Sequence, residues 1–307
     1  MFYKIKYNIN IMDIIHFLKI FLIILILFIL INSLSNIFLL NKYEHFQSNK
    51  KICCLYAYYE KNELYKSNLE YFLKNGILDE VDYYIIINGD CTIDFPKNEN
   101  IKIFYRENQG YDFGAYSYGI KQLDKEYDYY FFLNTSVSGP YLKDNKKWID
   151  PFLELFNNQN IKLVGTSINV FTNKTVGTYE NIYHLNEIYN KEIPFTHVQS
   201  MFFCIDNQYF NFLKDINFFN EDELNNCDNI SYVIATKEIG LSQHALKEGW
   251  NINSILDKYK NIDYRNIYKD FNDTSLNGDP YYKNAYFGTT IDKYDAIFYK
   301  NNRELSE

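Results

Sequence analysis

The sequence predicts an α/β fold, a mostly parallel sheet flanked by helices and preceded by one transmembrane helix. Three observations lead there. Short apolar runs of strand length alternate with segments whose apolar residues recur at helical spacing, the pattern of strands joined by crossover helices. The polar and turn-forming residues gather where those runs end, and open α/β sheets bind their ligands at the carboxyl ends of strands. Ahead of all this, Ile20 to Leu40 (IFLIILILFILINSLSNIFLL) runs 21 residues without a charge.

That first stretch is long enough to cross a hydrocarbon core of about 30 Å at about 1.5 Å per residue. Lys19 and Lys42 bracket it. Its apolar part is longer than the core of a cleaved leader and no A-x-A-like site follows, which favours a retained anchor. Lys4, Lys6 and Lys19 on one side nearly balance Lys42, Lys50 and Lys51 on the other. The N-terminal amine tips the expectation toward a cytosolic N-terminus, a single-pass type II protein with its domain in a lumen. The chain then divides into a tail (1–19), the membrane anchor (20–40), a polar stem (41–50) and one domain (51–307), with no internal repeat.

Within the domain, Ile52–Tyr59 (ICCLYAYY) reads as a buried strand. Lys61–Asn75 reads as a helix, with Leu64, Asn68, Leu69, Phe72 and Leu73 at helical spacing and Asn75-Gly76 as its stop. Val81–Ile87 and Ile101–Tyr105 are the next strands, Tyr111–Leu123 a helix, and Tyr129–Leu133 a fourth strand. Trp148–Phe156 reads as helix, Leu163–Ile168 and Val198–Ile205 as strands, and Ser231–Glu248 as a helix.

Composition narrows the function. Hydrophobic residues make up 47% of the 307, enough for a sizeable core, and aromatics reach 19%, with 31 Tyr and 25 Phe. A net charge of −8 and a pI near 5.3 argue against nucleic acid, since phosphate backbones need a basic face. A compact anion such as a nucleoside diphosphate needs only a few local donors and stays open. The five cysteines form no CxxC and no metal spacing, and an odd count in one domain is not a disulfide framework.

Four groups of residues could carry chemistry. Arg106 to Ala115 (RENQGYDFGA) follows the third strand. Gly110 and Gly114 permit close backbone approach, the helix start offers N–H donors, Arg106 can fork onto a phosphate, and Asp112 can accept from a sugar hydroxyl. The same stretch also reads as a strand-to-helix turn capped by Asp112. Asn134, Thr135 and Ser136, before Ser138-Gly139-Pro140, end the fourth strand as short polar groups or as a simple turn. His197 and Gln199 share one face of an extended run, as site residues or as structural ones. Glu238 lies in an apolar stripe with Ile234, Leu241 and Ala245, and burial there would push a carboxylate toward the range of a general base. Ser242, four residues on, could orient it; alternatively Glu238 pairs with a lysine or lies at the stripe's edge.

Taken together, RENQGYDFGAYSYGI, YDYYFFLNTSVSGPYL, HVQSMFFCI, KEIGLSQ and the terminal DAIFYKNNR resemble, in content and order, glycosyltransferases of the rhamnan synthesis protein F family, over Lys51 to Arg303. The resemblance implies a GT-A-like (Rossmann-like) fold and transfer of a hexosyl or deoxyhexosyl group from a nucleotide-sugar donor to a glycan or polysaccharide acceptor. It places Tyr58, Asn88, Arg106, Asn108, Gly110, Asn134, Thr135 and Ser136 at the donor and makes Glu238 and Asp112 the catalytic pair, Glu238 as base. His197, Gln199, Ser242, Lys300 and Arg303 fall on the acceptor or diphosphate side. GT-A enzymes usually carry Asp-x-Asp for Mn2+ or Mg2+ where this chain has Asn134-Thr135-Ser136, which holds no carboxylate. Dependence on a divalent cation is therefore open, and the alternative is a catalytically inactive GT-A-like membrane protein that binds a nucleotide or glycan.

Overall fold

The computed structural model describes residues 18–33, 50–144, 146–158, 160–171, 185–191, 194–267 and 279–303. The chain divides into two compact units, Met1–Lys50 and Lys51–Glu307.

In the first unit, residues 18–33 form a helix (α1) whose Leu, Ile and Phe side chains are exposed along its length. Among the described residues no helix is long and apolar enough to cross a membrane. Residues 34–40 of the expected span lie outside the described residues.

The second unit is built on a seven-stranded sheet. Its strands are β1 (Ile52–Tyr58), β2 (Val81–Asn88), β3 (Ile101–Arg106), β4 (Tyr129–Asn134), β5 (Ile161–Gly165), β8 (Phe202–Asp206) and β9 (Asn251–Ser254), in the order β3-β2-β1-β4-β8-β5-β9. β1 to β4 run parallel, β8 is antiparallel to both β4 and β5, and β9 returns parallel to β5. The order reverses between β1 and β4, so a crevice is expected where their carboxyl ends part. Helix α2 (Glu63–Asn75) follows β1, capped by the Asn62 side chain on the Tyr65 N–H, and helix α3 (Tyr111–Lys121) follows β3.

β1 is buried along its whole length, as a parallel strand covered on both faces must be. Tyr and Phe fill the core. Phe131, Trp148, Phe202 and Phe298 form one aromatic cluster, with Phe298 stacked on Phe202 at 4.3 Å between ring centroids. This stack ties the C-terminal segment to the sheet, and the Ser138–Tyr299 bridge continues the attachment.

Two expected strands prove to be four. Leu163–Ile168 breaks at Thr166-Ser167 into β5 and β6 (Ile168–Phe171), and Val198–Ile205 breaks after Val198 into β7 (Phe195–Val198) and β8. β6 and β7 leave the main sheet and pair with each other. The two breaks are tied to each other, Ser167 Oγ donating to Gln199 Oε1 at 2.5 Å and the Gln199 N–H donating to the Ser167 carbonyl at 3.2 Å. Ser231–Glu248 is helical, but Ile234–Ile239 is wound as a π-helix between α-helical ends.

Gly165 shows how tightly the two sheets meet. A Cβ there would lie 2.2 Å from Val198 Cγ1 and 3.0 Å from the Phe202 carbonyl oxygen. Gly165→Ala is expected to cost about 1–3 kcal/mol, read as a lowered denaturant midpoint with unchanged slope.

Candidate functional site

Three small networks meet the carboxyl ends of the parallel strands. The first holds Arg106 at the end of β3. Its Nη1 donates to Asn88 Oδ1 and to the Gln109 carbonyl, each at 2.8 Å, and its Nη2 donates to Asn225 Oδ1 at 2.7 Å. All three acceptors are neutral, and burial pulls its pKa below the ordinary arginine value. A cation fixed by neutral acceptors keeps its charge available and is oriented for an incoming anion.

Gly110 makes that geometry possible. It is the N-cap of α3 with φ +69°, and a Cβ would sit 3.0 Å from the Leu224 backbone and 3.1 Å from Asn225 Oδ1. The glycine therefore serves the packing of Glu221–Asn225 against α3, which delivers Asn225 to Arg106. Asp112 lies in the first turn of α3 and is not its cap.

The second network lies at the switch between β1 and β4. Asn134 Nδ2 donates to Asp112 Oδ2 at 2.6 Å, while Asn134 Oδ1 accepts from the Ser136 N–H at 2.9 Å and from Ser136 Oγ at 2.6 Å. Burial pushes the Asp112 carboxyl up to about 7; the neighbouring Glu238 carboxylate pushes the same way, and Asn134 and Lys300 pull against them. Glu238 stands on the π-helical segment and accepts at Oε2 from Ser200 Oγ at 2.6 Å. The two carboxyl groups and the Lys300 ammonium thus lie within electrostatic reach of one another.

The third network is centred on Asp279, a buried carboxylate that the sequence hides within the turn-like Asn-Gly-Asp-Pro. It accepts from Arg303 Nε at 2.8 Å and Lys300 Nζ at 3.3 Å on Oδ2, and from Gln199 Nε2 at 3.2 Å on Oδ1. Burial pushes Asp279 upward, but Lys300 and Arg303 outweigh it and hold the carboxyl at about 2. Lys300 and Arg303 thus share this one carboxylate. His197 is buried nearby and held neutral, its pKa pushed down to about 3 by burial, with Asp279 pulling up and Lys300 pushing down.

Asp112, Asn134, Ser136, Glu238 and Lys300 come together, and so do His197, Gln199, Lys300 and Arg303 through Asp279. Asn88 joins Arg106. Other expected residues go elsewhere. The Tyr58 hydroxyl is buried and donates to Glu60 Oε2 at 2.9 Å, in a knot closed by Thr92. Asn108 is exposed beside Arg106. Thr135 is buried and its carbonyl is taken by Asn68 Nδ2 at 2.9 Å. Ser242 does not orient Glu238, because the π-helical winding changes the phase of the stripe. Its Oγ instead accepts from the Val198 N–H at 2.9 Å, fixing the end of β7, and Ser200 orients Glu238. Nor does the adjacent lysine pair with Glu238: Lys237 is buried the other way, 3.1 Å from Glu223 and donating to the Phe218 carbonyl.

The Asn134-Thr135-Ser136 turn does not fit a divalent cation. It has no charge, and its side-chain amide oxygen and the Thr135 carbonyl are already occupied by protein donors. Among the described residues no group of three or more His, Cys, Asp or Glu side chains is placed to hold a metal. Asn134→Asp would set a second carboxylate against Asp112 Oδ2. We expect it to lower Tm at pH 8 by several degrees, and by less at pH 5, in a thermal melt.

No known family model matches the chain, and no curated protein matches it. The kinship with the rhamnan synthesis protein F family thus stays an expectation from motifs. Among solved structures, the mannosyltransferase PcManGT from Pyrobaculum calidifontis, in complex with GDP-Man and Mn2+, is similar over 67% of this chain and 54% of its own, with 6% identity and a TM-score of 0.40. TarS 1-349 of S. aureus matches 54% of this chain and 49% of its own (12% identity, TM-score 0.32). The mannosyltransferase Ktr4p of S. cerevisiae, in complex with GDP, matches 57% of this chain and 62% of its own (11% identity, TM-score 0.33). The chain spans between 49% and 62% of the length of these proteins, and likenesses of this size assign no residue and no activity to it.

Proposed function

We propose that the chain is a GT-A-like glycosyltransferase that moves a sugar, hexosyl or deoxyhexosyl, from a nucleotide donor to a hydroxyl of a glycan or polysaccharide. The observation that carries this reading is that Asp112, near the β1/β4 switch point, lies within electrostatic reach of both Glu238 and Lys300. Transfer to a hydroxyl needs a base for the acceptor proton and a cation for the departing diphosphate. Glu238, held by Ser200, is the base. Lys300, held beside Asp279, faces the diphosphate. Arg106 with Asn88 takes the nucleotide end. Asp112 accepts from a sugar hydroxyl when ionised and donates when protonated, and Asn134 and Ser136 fix it in place. No step is routed through a metal ion, because the turn that would hold one does not fit it.

Residues 20–40 serve in this reading as a membrane anchor that leaves the domain in a lumen. The uncharged length of the span and the exposed apolar surface of α1 support it. Protease protection of 51–307 in sealed vesicles tests the orientation, and digestion from the cytosolic side reverses it.

The function is tested by incubating the full chain in detergent with a panel of nucleotide sugars, with Mn2+ and with a chelator. Nucleoside diphosphate release in both conditions is the expected result. Binding without turnover in every condition would identify instead a catalytically inactive binding protein, the reading that the missing carboxylates in Asn134-Thr135-Ser136 favour.

A further inference from the structure

β6 and β7 carry a feature that the transfer chemistry leaves unused. Asn169 and His197 stand directly opposite each other in the antiparallel register, so their side chains share one face. Asn169 is 3% exposed and His197 is 6% exposed. Asn169 Oδ1 and His197 Nδ1 are nevertheless both without a hydrogen-bond partner. Leaving one such group buried and unpaired is costly, and two facing each other call for an explanation. His197 lies within electrostatic reach of Asp279 and Lys300, and Gln199, two residues along the chain, donates to Asp279 Oδ1 at 3.2 Å. The Phe171 ring stacks on the imidazole at 5.1 Å and 25°.

We propose that Asn169 and His197 form a subsite that reads a hydroxyl group of a saccharide, next to the Asp279–Lys300 pair. This rests on the transferase reading of the crevice and adds to it a residue, Asn169, and a ligand class. The chemistry of the two orphaned atoms selects the ligand. Asn169 Oδ1 can only accept, so a carboxylate or phosphate cannot satisfy it. An ammonium could, but it would sit beside Lys300 against like charge. The imidazole is neutral, so its Nδ1 either donates to or accepts from an uncharged group. A hydroxyl meets both atoms at once, giving its proton to Asn169 Oδ1 and taking one from His197 Nδ1–H.

The test uses the full chain in detergent with 15N-labelled histidine, following the His197 imidazole nitrogens by long-range 1H–15N correlation and assigning them with His197→Phe. The probes are the methyl glycosides of glucose, galactose, mannose and rhamnose, and separately UDP and GDP. At least one glycoside is expected to shift Nδ1 saturably, and Asn169→Leu is expected to weaken that response at least about tenfold. The double variant Asn169→Leu/His197→Phe is expected to melt no lower than the unaltered protein, because it removes both orphaned groups together. A His197 signal that no glycoside moves, in a protein that binds UDP or GDP, overturns the subsite and leaves the transferase reading standing; a buried water then explains the pair. A double variant that melts lower also overturns it, by making the pair structural. A glycoside response in a protein that binds neither nucleotide keeps the subsite and removes the transferase reading.

Discussion

Replacing Asp112 with asparagine is expected to stabilise the protein at pH 8 and to leave it little changed at about pH 3.5. Burial and the Glu238 carboxylate lift Asp112 from 3.8 to about 7. Between about pH 4 and 7 the folded protein therefore keeps a proton that the unfolded chain has released, and stability falls as pH rises through that window. By pH 8 the loss amounts to roughly 3 kcal/mol, after discounting for the partial exposure of the residue. The amide of the Asp112→Asn variant cannot ionise, and its oxygen can still accept from Asn134. A Tm gain of roughly 5–10 °C at pH 8 follows, shrinking to about a third at pH 5 and to near zero at about pH 3.5, in melts of both proteins across pH. A gain that does not depend on pH would mean that Asp112 is not the group held near neutrality. Stability given up at a carboxylate in a crevice is the usual mark of a functional group.

Asp279→Ala is expected to act in the opposite direction and more strongly. It leaves Lys300 and Arg303 without their shared carboxylate and Gln199 without its acceptor. Breaking a buried pair from one side costs about 3–5 kcal/mol, readable as a lower urea midpoint at pH 7. The pH signature is also reversed. The folded-state carboxyl is held down to about 2 against 3.8, so its contribution is present above about pH 4 and is lost as pH falls through about 2. The variant should therefore approach the unaltered protein in stability only in strong acid. Because Phe298 and Tyr299 pin the same C-terminal segment to the sheet and the Ser138 loop, the domain is expected to remain folded at pH 7.

Much of this is legible in the sequence. The four parallel strands and α2 and α3 follow from continuous apolar runs and helical spacing, and buried parallel strands have no need of alternation. Arg106, Asp112, Asn134 and Glu238 stand out because each is a polar residue at a strand end or an interruption of an apolar stripe. The strand breaks at Thr166-Ser167 and Gln199-Ser200 do not, because an apolar run on either side masks a change of sheet. Asp279 is hidden for another reason. Its Gly-Asp-Pro setting has a turn's composition, and only long-range folding brings Lys300, Arg303 and Gln199 to it. Ser242 departs from its expected place because i+4 spacing presumes an α-helix, and the π-helical winding of Ile234–Ile239 moves its hydroxyl to the β7 backbone.

Glu238, within electrostatic reach of Asp112 near the β1/β4 switch, is the base in the glycosyl transfer proposed above. The most direct measurement compares donor turnover and nucleoside diphosphate affinity in the unaltered protein and in Glu238→Gln. A fall in kcat of about 10²–10⁴-fold with affinity unchanged is expected. Equal turnover in the two proteins would contradict it.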